Sequence, residues 1–183
     1  MARLELVPIY LPDHARLLDG LAPALEQALQ ASTRRRTVWF DPEAAFDVSR
    51  GQYSSTRLLG LLLDDPARRA DWVLGVTGVD LFVPVLTYVF GEAQLSGRAA
   101  IVSIQRLRAE AYGLPPDEHL LARRLLKESL HELGHVLGLL HCLAPDCVMH
   151  ASTYVEDVDL KPAAYCASCL QGVRRDVDSA RRA

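Results

Sequence analysis

The sequence predicts an α/β fold, with helices packed on a mainly parallel twisted sheet. The chain has 183 residues, of which 50% are hydrophobic and 23% charged, and this composition is typical of one globular domain. Its first 77 residues follow a β-α-β-α-β order, which favours parallel strands joined by crossover helices. The apolar run at 72–77 has the character of a strand that is covered on both faces.

The elements follow from hydrophobic spacing. A strand is expected at 3–10, then a helix that ends at Gln30, with Asp13 as a candidate cap. Strands are expected next at 37–40 and 72–77, with an apolar helix from 53–55 to 63 between them. Further strands are expected at 81–92, broken at Pro84, and at 99–104. A long helix begins at Asp117 or Glu118, and the tail after 142 has helix propensity near its end. Trp39 and Trp72 are expected to be core residues of the sheet.

The long helix ends in the segment HELGHVLGLLHC at 131–142. His131 and His135 are four residues apart, so both imidazoles lie on one helical face and can bind one metal ion. Glu132 is adjacent to the first of them and can polarise a water without binding the metal itself. Ten more residues of helix would carry His141 about 15 Å along the axis from His131. Gly138 can end the helix in the left-handed conformation, which would let His141 return to the metal.

This pattern predicts a catalytic zinc site, because three nitrogen ligands leave a fourth position open for water. A lone histidine on a helix is more simply an ordinary helix residue. The full pattern also specifies a glycine and a third histidine, and it is the signature of metzincins.

All four cysteines lie in the last third of the chain and have the spacing of metal ligands. Cys142 and Cys147 are separated by four residues, and Cys166 and Cys169 form a C-x-x-C pair. Four thiolates leave no open position, so the set predicts a structural zinc that holds the tail to the core. Four free buried cysteines, or a disulfide, are the alternatives. Met149 is a candidate for a hydrophobic floor beneath the catalytic zinc.

Charge and the N-terminal sequence exclude several other classes of function. A net charge of −3 does not suit a nucleic-acid-binding protein. An early acid and an early proline, Glu5 and Pro8, interrupt any signal-peptide pattern, and no apolar run is long enough to span a membrane. We therefore expect a cytoplasmic protein, with no nucleic-acid or membrane partner, that acts as a monomer.

The residues from His131 to Cys142, with Cys147, Met149 and the 166–169 pair, resemble those of the archaemetzincins, a branch of the metzincin zinc proteases. The segments 75–84 and 89–93 resemble the same family. The gap between Met149 and Cys166 is one residue shorter than the usual family spacing. The resemblance implies a metzincin-like mixed twisted sheet of about five strands with backing helices and an active-site helix. It also implies a small zinc-stapled C-terminal subdomain (139–183) below an N-terminal subdomain (1–138).

The resemblance implies two zinc ions and peptide hydrolysis, with Glu132 as general base and a peptide or protein as substrate. Some relatives are regarded as aminopeptidases, so short peptides are candidate substrates. By analogy, an extended peptide would dock along an edge strand that contains Phe90, Gly91, Glu92, Ala93 and Gln94. Tyr154 and His150 are weaker candidates for stabilising the oxyanion. The alternative function is a non-catalytic zinc protein that binds a peptide or protein partner, and Glu132 is the residue that distinguishes the two.

Overall fold

The computed structural model describes residues 1–11, 14, 16–67 and 70–180. The strands are β1 (Arg3–Ile9), β2 (Ser32–Arg35), β3 (Phe46–Asp47), β4 (Gln52–Ser54), β5 (Trp72–Thr77), β6 (Leu81–Phe82), β7 (Gly91–Ala93) and β8 (Ala99–Ser103). The helices are α1 (Leu17–Leu29), α2 (Ser55–Leu63), α3 (Glu118–Val136), α4 (Val155–Leu160) and α5 (Ala167–Ala180). Short 3-10 helices span Pro42–Ala45 and Ala109–Tyr112.

The main sheet has five strands in the order β2-β1-β5-β8-β7. All neighbours are parallel except β7, which pairs antiparallel with β8 and forms one edge. A small sheet, β3-β4-β6, lies beside it. One apolar cluster joins one face of the main sheet to α1, α3 and α5, and a second joins the other face to α2. The predicted mixed α/β sheet is therefore confirmed.

The central strands and the helices α1, α2, α3 and α5 lie where the sequence predicts them, whereas α4 was not predicted. Asp117 caps α3, because its Oδ1 accepts a hydrogen bond of 2.8 Å from the Leu120 amide. Ser54 caps α2 in the same way, through the Arg57 amide at 3.4 Å. The candidate cap Asp13 lies outside the described residues. No helix in the described part of the chain is long and apolar enough to cross a membrane.

The prediction of a second strand at 37–40 is wrong, because the second strand is Ser32–Arg35. This segment follows α1 directly and pairs with β1 in parallel, from Arg3↔Ser32 to Leu6↔Arg35. An edge strand does not need alternating apolar residues, so hydrophobic spacing did not predict this polar segment as a strand. Trp39 is half-buried outside the strands, where the guanidinium of Arg36 lies 4.0 Å from its ring centroid. Trp72 is buried in β5 as expected.

The expected strand at 81–92 is two short strands, β6 and β7, separated by a loop. Pro84 cannot donate to a β-ladder, which disfavours a continuous strand. The chain instead turns back, and the Val89 amide donates to the Leu81 carbonyl at 2.9 Å. As a result, the loop and β7 together form a wall beside α3.

The tail after Gly138 shares the core of the sheet. Cys147, Val148 and Met149 are buried in the same apolar cluster as β1 and α3, together with Val173 and Val177 of α5. This common core is what a single domain requires. The division into subdomains 1–138 and 139–183 stays a prediction.

Candidate active site

The helix α3 ends in a sharp turn at Gly138, which has a φ of +79°. The Gly138 amide donates to the His135 carbonyl, and the Leu139 amide donates to the Gly134 carbonyl, both at 2.9 Å. This pair of bonds defines a Schellman motif, in which glycine takes the left-handed position without a Cβ clash. The chain therefore leaves the helix abruptly and brings His141 back beside the two helical histidines.

The three histidines meet at one point. The Nε2 atoms of His131 and His135 are 3.2 Å apart, and the ring centroids of His131 and His141 are separated by 5.2 Å. The candidate ligand atoms of all three, including His141, lie within 4.8 Å of one another. A tetrahedral zinc with bonds of about 2.0–2.1 Å places its nitrogens about 3.3 Å apart. The spacing of the two helical histidines therefore fits this ion.

The outer nitrogens of the two helical histidines are held by backbone carbonyls. His131 Nδ1 donates to the Val148 carbonyl at 2.8 Å, and His135 Nδ1 donates to the Leu139 carbonyl at 2.7 Å. A neutral imidazole carries only one N–H, so both Nε2 atoms present lone pairs to each other. Such an arrangement is repulsive without a shared cation, and it is the usual orientation of metal-binding histidines.

Burial favours the neutral form of these rings. It lowers the pKa of His131 to about 3, with a further contribution from the nearby Lys161 ammonium. It also lowers the pKa of His135. Since a metal ligand must be unprotonated, the environment prepares both rings for metal binding.

Glu132 lies in the same cleft and packs against β7. It is buried, and a Cβ added at Gly91 would stand 2.7 Å from its Cγ and 2.9 Å from its Oε1. Burial, and next the neighbouring Glu128, raise the pKa of Glu132 well above its usual value. The Glu132 side chain therefore fits here because Gly91 has no side chain.

The histidines open into a cleft of about 510 Å³. Residues 86–93 line one wall, residues 151–154 line the other, and Glu128 and Glu132 lie between them with the histidines. Among the residues predicted to bind substrate, Phe90, Gly91, Glu92 and Ala93 line this cleft. Gln94 instead stabilises the turn between β7 and β8, where its Oε1 accepts from the Arg98 amide at 3.0 Å.

The two oxyanion candidates differ in their positions. Tyr154 lines the cleft and is 64% exposed. The ring of His150 faces the Cys142 carbonyl, with its Nδ1 at 3.0 Å, and His150 is not among the residues that line the cleft. Tyr154 is therefore the better placed of the two.

The four cysteines converge on a second point. Their sulfurs lie within 4.8 Å of one another, and the Sγ atoms of Cys142 and Cys166 are 3.9 Å apart. A tetrahedral zinc with Zn–S bonds of about 2.3 Å separates its sulfurs by about 3.8 Å. None of the four is in a disulfide. A hydrogen bond from the Cys169 amide lowers the pKa of Cys166 to about 7, which favours the thiolate that zinc binds, whereas burial raises the pKa of Cys147.

Met149 packs against α3 from the side of the tail. It is fully buried, and a Cβ added at Gly134 would overlap its Sδ and lie 3.3 Å from Tyr165 Cε1. The Met149 carbonyl accepts from the Cys142 amide at 2.9 Å. The methionine therefore contacts the helix next to the histidines and also joins the cysteine-bearing segment.

Two charged residues near the histidines were not found from the sequence. Glu128 lines the cleft and forms a buried ion pair with Lys161, whose Nζ is 2.9 Å from its Oε1. Glu128 precedes Glu132 by one helical turn, so helical spacing could have identified it. Lys161 comes 30 residues after His131 and has no local signal.

Known proteins share the family and the fold of this chain. The model of peptidase family M54 matches residues 40–175. The chain belongs to peptidase family M54. It is 50% identical to the archaemetzincin of Methanocaldococcus jannaschii over 130 residues, which are 71% of this chain and 70% of that relative. It is 44% identical to the archaemetzincin of Pyrococcus horikoshii over 137 residues, which are 73% of this chain and 71% of the relative.

Solved structures agree with this assignment. The archaemetzincin of Methanopyrus kandleri has a TM-score of 0.85 at 34% identity, covering 97% of this chain and 96% of that one. A zinc-dependent peptidase from Methanocorpusculum labreanum has a TM-score of 0.82 at 28% identity, covering 93% and 99%. The archaemetzincin resemblance is confirmed. As a member of M54 the chain is a zinc metallopeptidase that acts on peptides or proteins, which disfavours the non-catalytic alternative.

Proposed function

We propose that the chain hydrolyses peptide bonds at a zinc ion held by His131, His135 and His141. The observation that carries this proposal is the 3.2 Å separation of the Nε2 atoms of His131 and His135, whose rings are oriented by carbonyl acceptors. Zinc bound there would polarise the substrate carbonyl and lower the pKa of a bound water towards ~7.

Glu132 acts as the general base and then as the general acid. Its carboxylate shares the cleft with the histidines and is held against Gly91, so it can reach a water beside the ligands without binding the metal. Burial raises its pKa, and a divalent cation at the histidines would favour the ionised form. The carboxylate takes the proton of the attacking water and delivers it to the leaving amine.

The substrate binds in an extended form along β7. This strand is the edge of the main sheet, so the side of its backbone that faces away from β8 is available for pairing. Tyr154, on the opposite wall, is the candidate donor to the oxyanion. All of these residues belong to one chain, and we propose that it works as a monomer. A cytoplasmic location stays a prediction.

The preferred substrates are short peptides, with aminopeptidase-like cleavage as the candidate mode. The hydroxyl of Tyr88, on one wall of the cleft, reaches the Thr153 carbonyl on the other at 3.5 Å. A contact between the walls restricts the passage of a folded or long chain. This contact between the two cleft walls supports the preference for short peptides.

The cysteines hold a second zinc, which is structural. Four thiolates, whose sulfurs lie within 4.8 Å of one another, would fill the coordination of a tetrahedral zinc and leave no position for water. They tie the segment 142–147 to the start of α5 and so close the tail against the core. We therefore propose two zinc ions in each chain.

The test is a digest of a short-peptide library and an unfolded casein-like protein by the zinc-loaded wild type and by Glu132→Ala. Glu118→Ala, an exposed change in the first turn of the same helix, is the control. We expect the wild type and the control to cleave short peptides, and Glu132→Ala to lose at least ~100-fold in rate. Full activity in Glu132→Ala would disprove the base assignment. Rapid digestion of casein would contradict the preference for short peptides.

A further inference from the structure

The ammonium of Lys161 is buried next to the ring of His131. The side chain of Lys161 is 1% exposed, and its Nζ lies 3.5 Å from His131 Nδ1, on the edge of the ring away from Nε2. The same Nζ donates to the His150 carbonyl at 3.3 Å and pairs with the Glu128 carboxylate at 2.9 Å. One buried cation thus contacts α3, the turn after Met149 and a histidine ring of the active site.

A lysine is rarely buried so completely, because the loss of hydration must be offset by a close anion and hydrogen-bond acceptors. Glu128 supplies the anion and is itself only 3% exposed. Apolar residues of similar size often stabilise a fold as well as a buried ion pair does, so stability alone gives no reason for this pair. This placement favours a role in the geometry of the site.

The contacts of Lys161 hold the surroundings of His131 in place. The ring is oriented by its hydrogen bond to the Val148 carbonyl, and Lys161 binds the carbonyl of His150, two residues further on. Glu128 lies on α3, three residues before His131, so the ion pair connects the helix that carries the ring to the turn that orients it. Both ends of the Nδ1 hydrogen bond are thereby fixed.

We propose that Lys161, with Glu128, is a positioning residue that orients His131 for metal binding. This inference rests on the proposed function, since it assumes a metal at the histidines. Lys161 acts through the ring and its carbonyl acceptor. It does not touch the substrate.

The chain offers a matched control in Lys127. Its Nζ donates to the carbonyls of Val158 and Asp159, both at 2.9 Å, so it also ties α3 to the end of α4. Lys127 makes no hydrogen bond or ion pair with the three histidines in the described structure. Lys127→Met and Lys161→Met thus each remove one ammonium from the junction of the same two elements, and only the second removes a contact to His131.

The experiment measures metal binding at the histidines by both variants and the wild type. The histidine-site metal is removed with a chelator, and affinity is measured by competition for Zn²⁺ with a chromogenic chelator. Co²⁺ is then added, and its visible absorption reports the geometry of the ligands. We expect Lys161→Met to lose about 10–100-fold in Zn²⁺ affinity, the range for loss of an outer partner of a metal-binding histidine, and to alter the Co²⁺ spectrum. Lys127→Met should keep the affinity and spectrum of the wild type.

The outcomes separate this inference from the proposed function. Equal affinities and spectra for the two lysine variants would overturn the positioning role while leaving the zinc site intact. A wild type that binds no metal at the histidines would overturn both proposals. If Lys161→Met does not fold because Glu128 is left as an unpaired buried charge, the double variant Lys161→Met/Glu128→Gln removes that charge and undergoes the same comparison with Lys127→Met.

Discussion

At the scale of single residues, two glycines leave space for the side chains of Glu132 and Met149, because they carry no Cβ. Gly91 lies on the edge strand, where a Cβ would collide with Glu132, and Gly134 lies on α3, where a Cβ would overlap Met149. Both neighbours are buried and closely packed, so neither can move away freely. The positions of Glu132 and Met149 therefore depend on the absence of a Cβ at these two glycines.

The change Gly91→Ala should displace the Glu132 carboxylate and lower kcat/KM by at least ~10-fold, because small misplacements of a catalytic group cost large factors in rate. The zinc content should stay that of the wild type, since no ligand is touched. The added Cβ would also stand 2.6 Å from the Ile101 carbonyl, so thermal stability is measured on the same samples. Gly60→Ala, where a Cβ meets nothing within 4 Å, is the control. A Gly91→Ala enzyme with the kcat/KM of the wild type would contradict the role of Gly91 in placing Glu132.

At the scale of secondary structure, the end of α3 is capped by the hairpin that forms the cleft wall. The amides of Ser96 and Gly97, in the turn between β7 and β8, donate to the His135 and Val136 carbonyls at 3.0 Å each. The Val136 carbonyl is one that the end of the helix leaves free, and the His135 carbonyl accepts from Ser96 in addition to Gly138. The strand proposed to bind substrate and the helix that bears two ligands are thus joined at the turn where Gly138 redirects the chain.

The change Gly138→Ala should lower the free energy of unfolding by about 1–2 kcal/mol, because a left-handed residue with a Cβ is strained. It should also weaken zinc binding at the histidines, since His141 depends on this turn. Gly113→Ala is the control, because Gly113 also has a left-handed φ, of +74°. It lies in a turn before α3, and a Cβ there would meet nothing within 4 Å. Denaturant unfolding and zinc competition are measured for both. Similar loss of stability with equal zinc affinity would show that the position of His141 does not depend on Gly138.

At the scale of the whole molecule, the two candidate metal sites are directly linked through the backbone. His141 and Cys142 are adjacent, so the last histidine ligand and the first cysteine ligand are joined by a single peptide bond. The Cys142 amide is further tied to the Met149 carbonyl, and the Val148 amide to the Ala164 carbonyl at 2.8 Å. The tail, the cysteines and the histidines should therefore respond together when either site is disturbed.

The change Cys166→Ser, or selective chelation of the cysteine-bound metal, should release Cys142 and loosen His141. We expect zinc affinity at the histidines to fall by about 10-fold, as for other supporting contacts of metal ligands, together with a lower melting temperature. Ser168→Ala, at an exposed position of the same segment, should change neither quantity. An unchanged affinity at the histidines in Cys166→Ser would mean that the two sites are independent.

The sequence by itself determined the features that depend on local spacing. The pattern of apolar residues predicts β1, β5, β8 and α3, because the three strands are mostly buried apolar runs and α3 buries apolar residues at helical spacing. The residues that gather at the two candidate metal sites follow from ligand spacing, because a helix and a glycine turn bring His131, His135 and His141 together within eleven residues. These relations are set by chain geometry and need no distant partner.

Only the tertiary structure decided the features that depend on distant contacts. The polar segment Ser32–Arg35 is a strand because β1 lies beside it, and Trp39 is not in a strand because Arg36 and the second core cluster hold it elsewhere. The approach of Lys161 to His131 joins residues 30 apart. The fit of Glu132 against Gly91 likewise joins separate elements. No periodic pattern encodes such pairs, because their distances are set by how the helices and strands pack and not by their order along the chain.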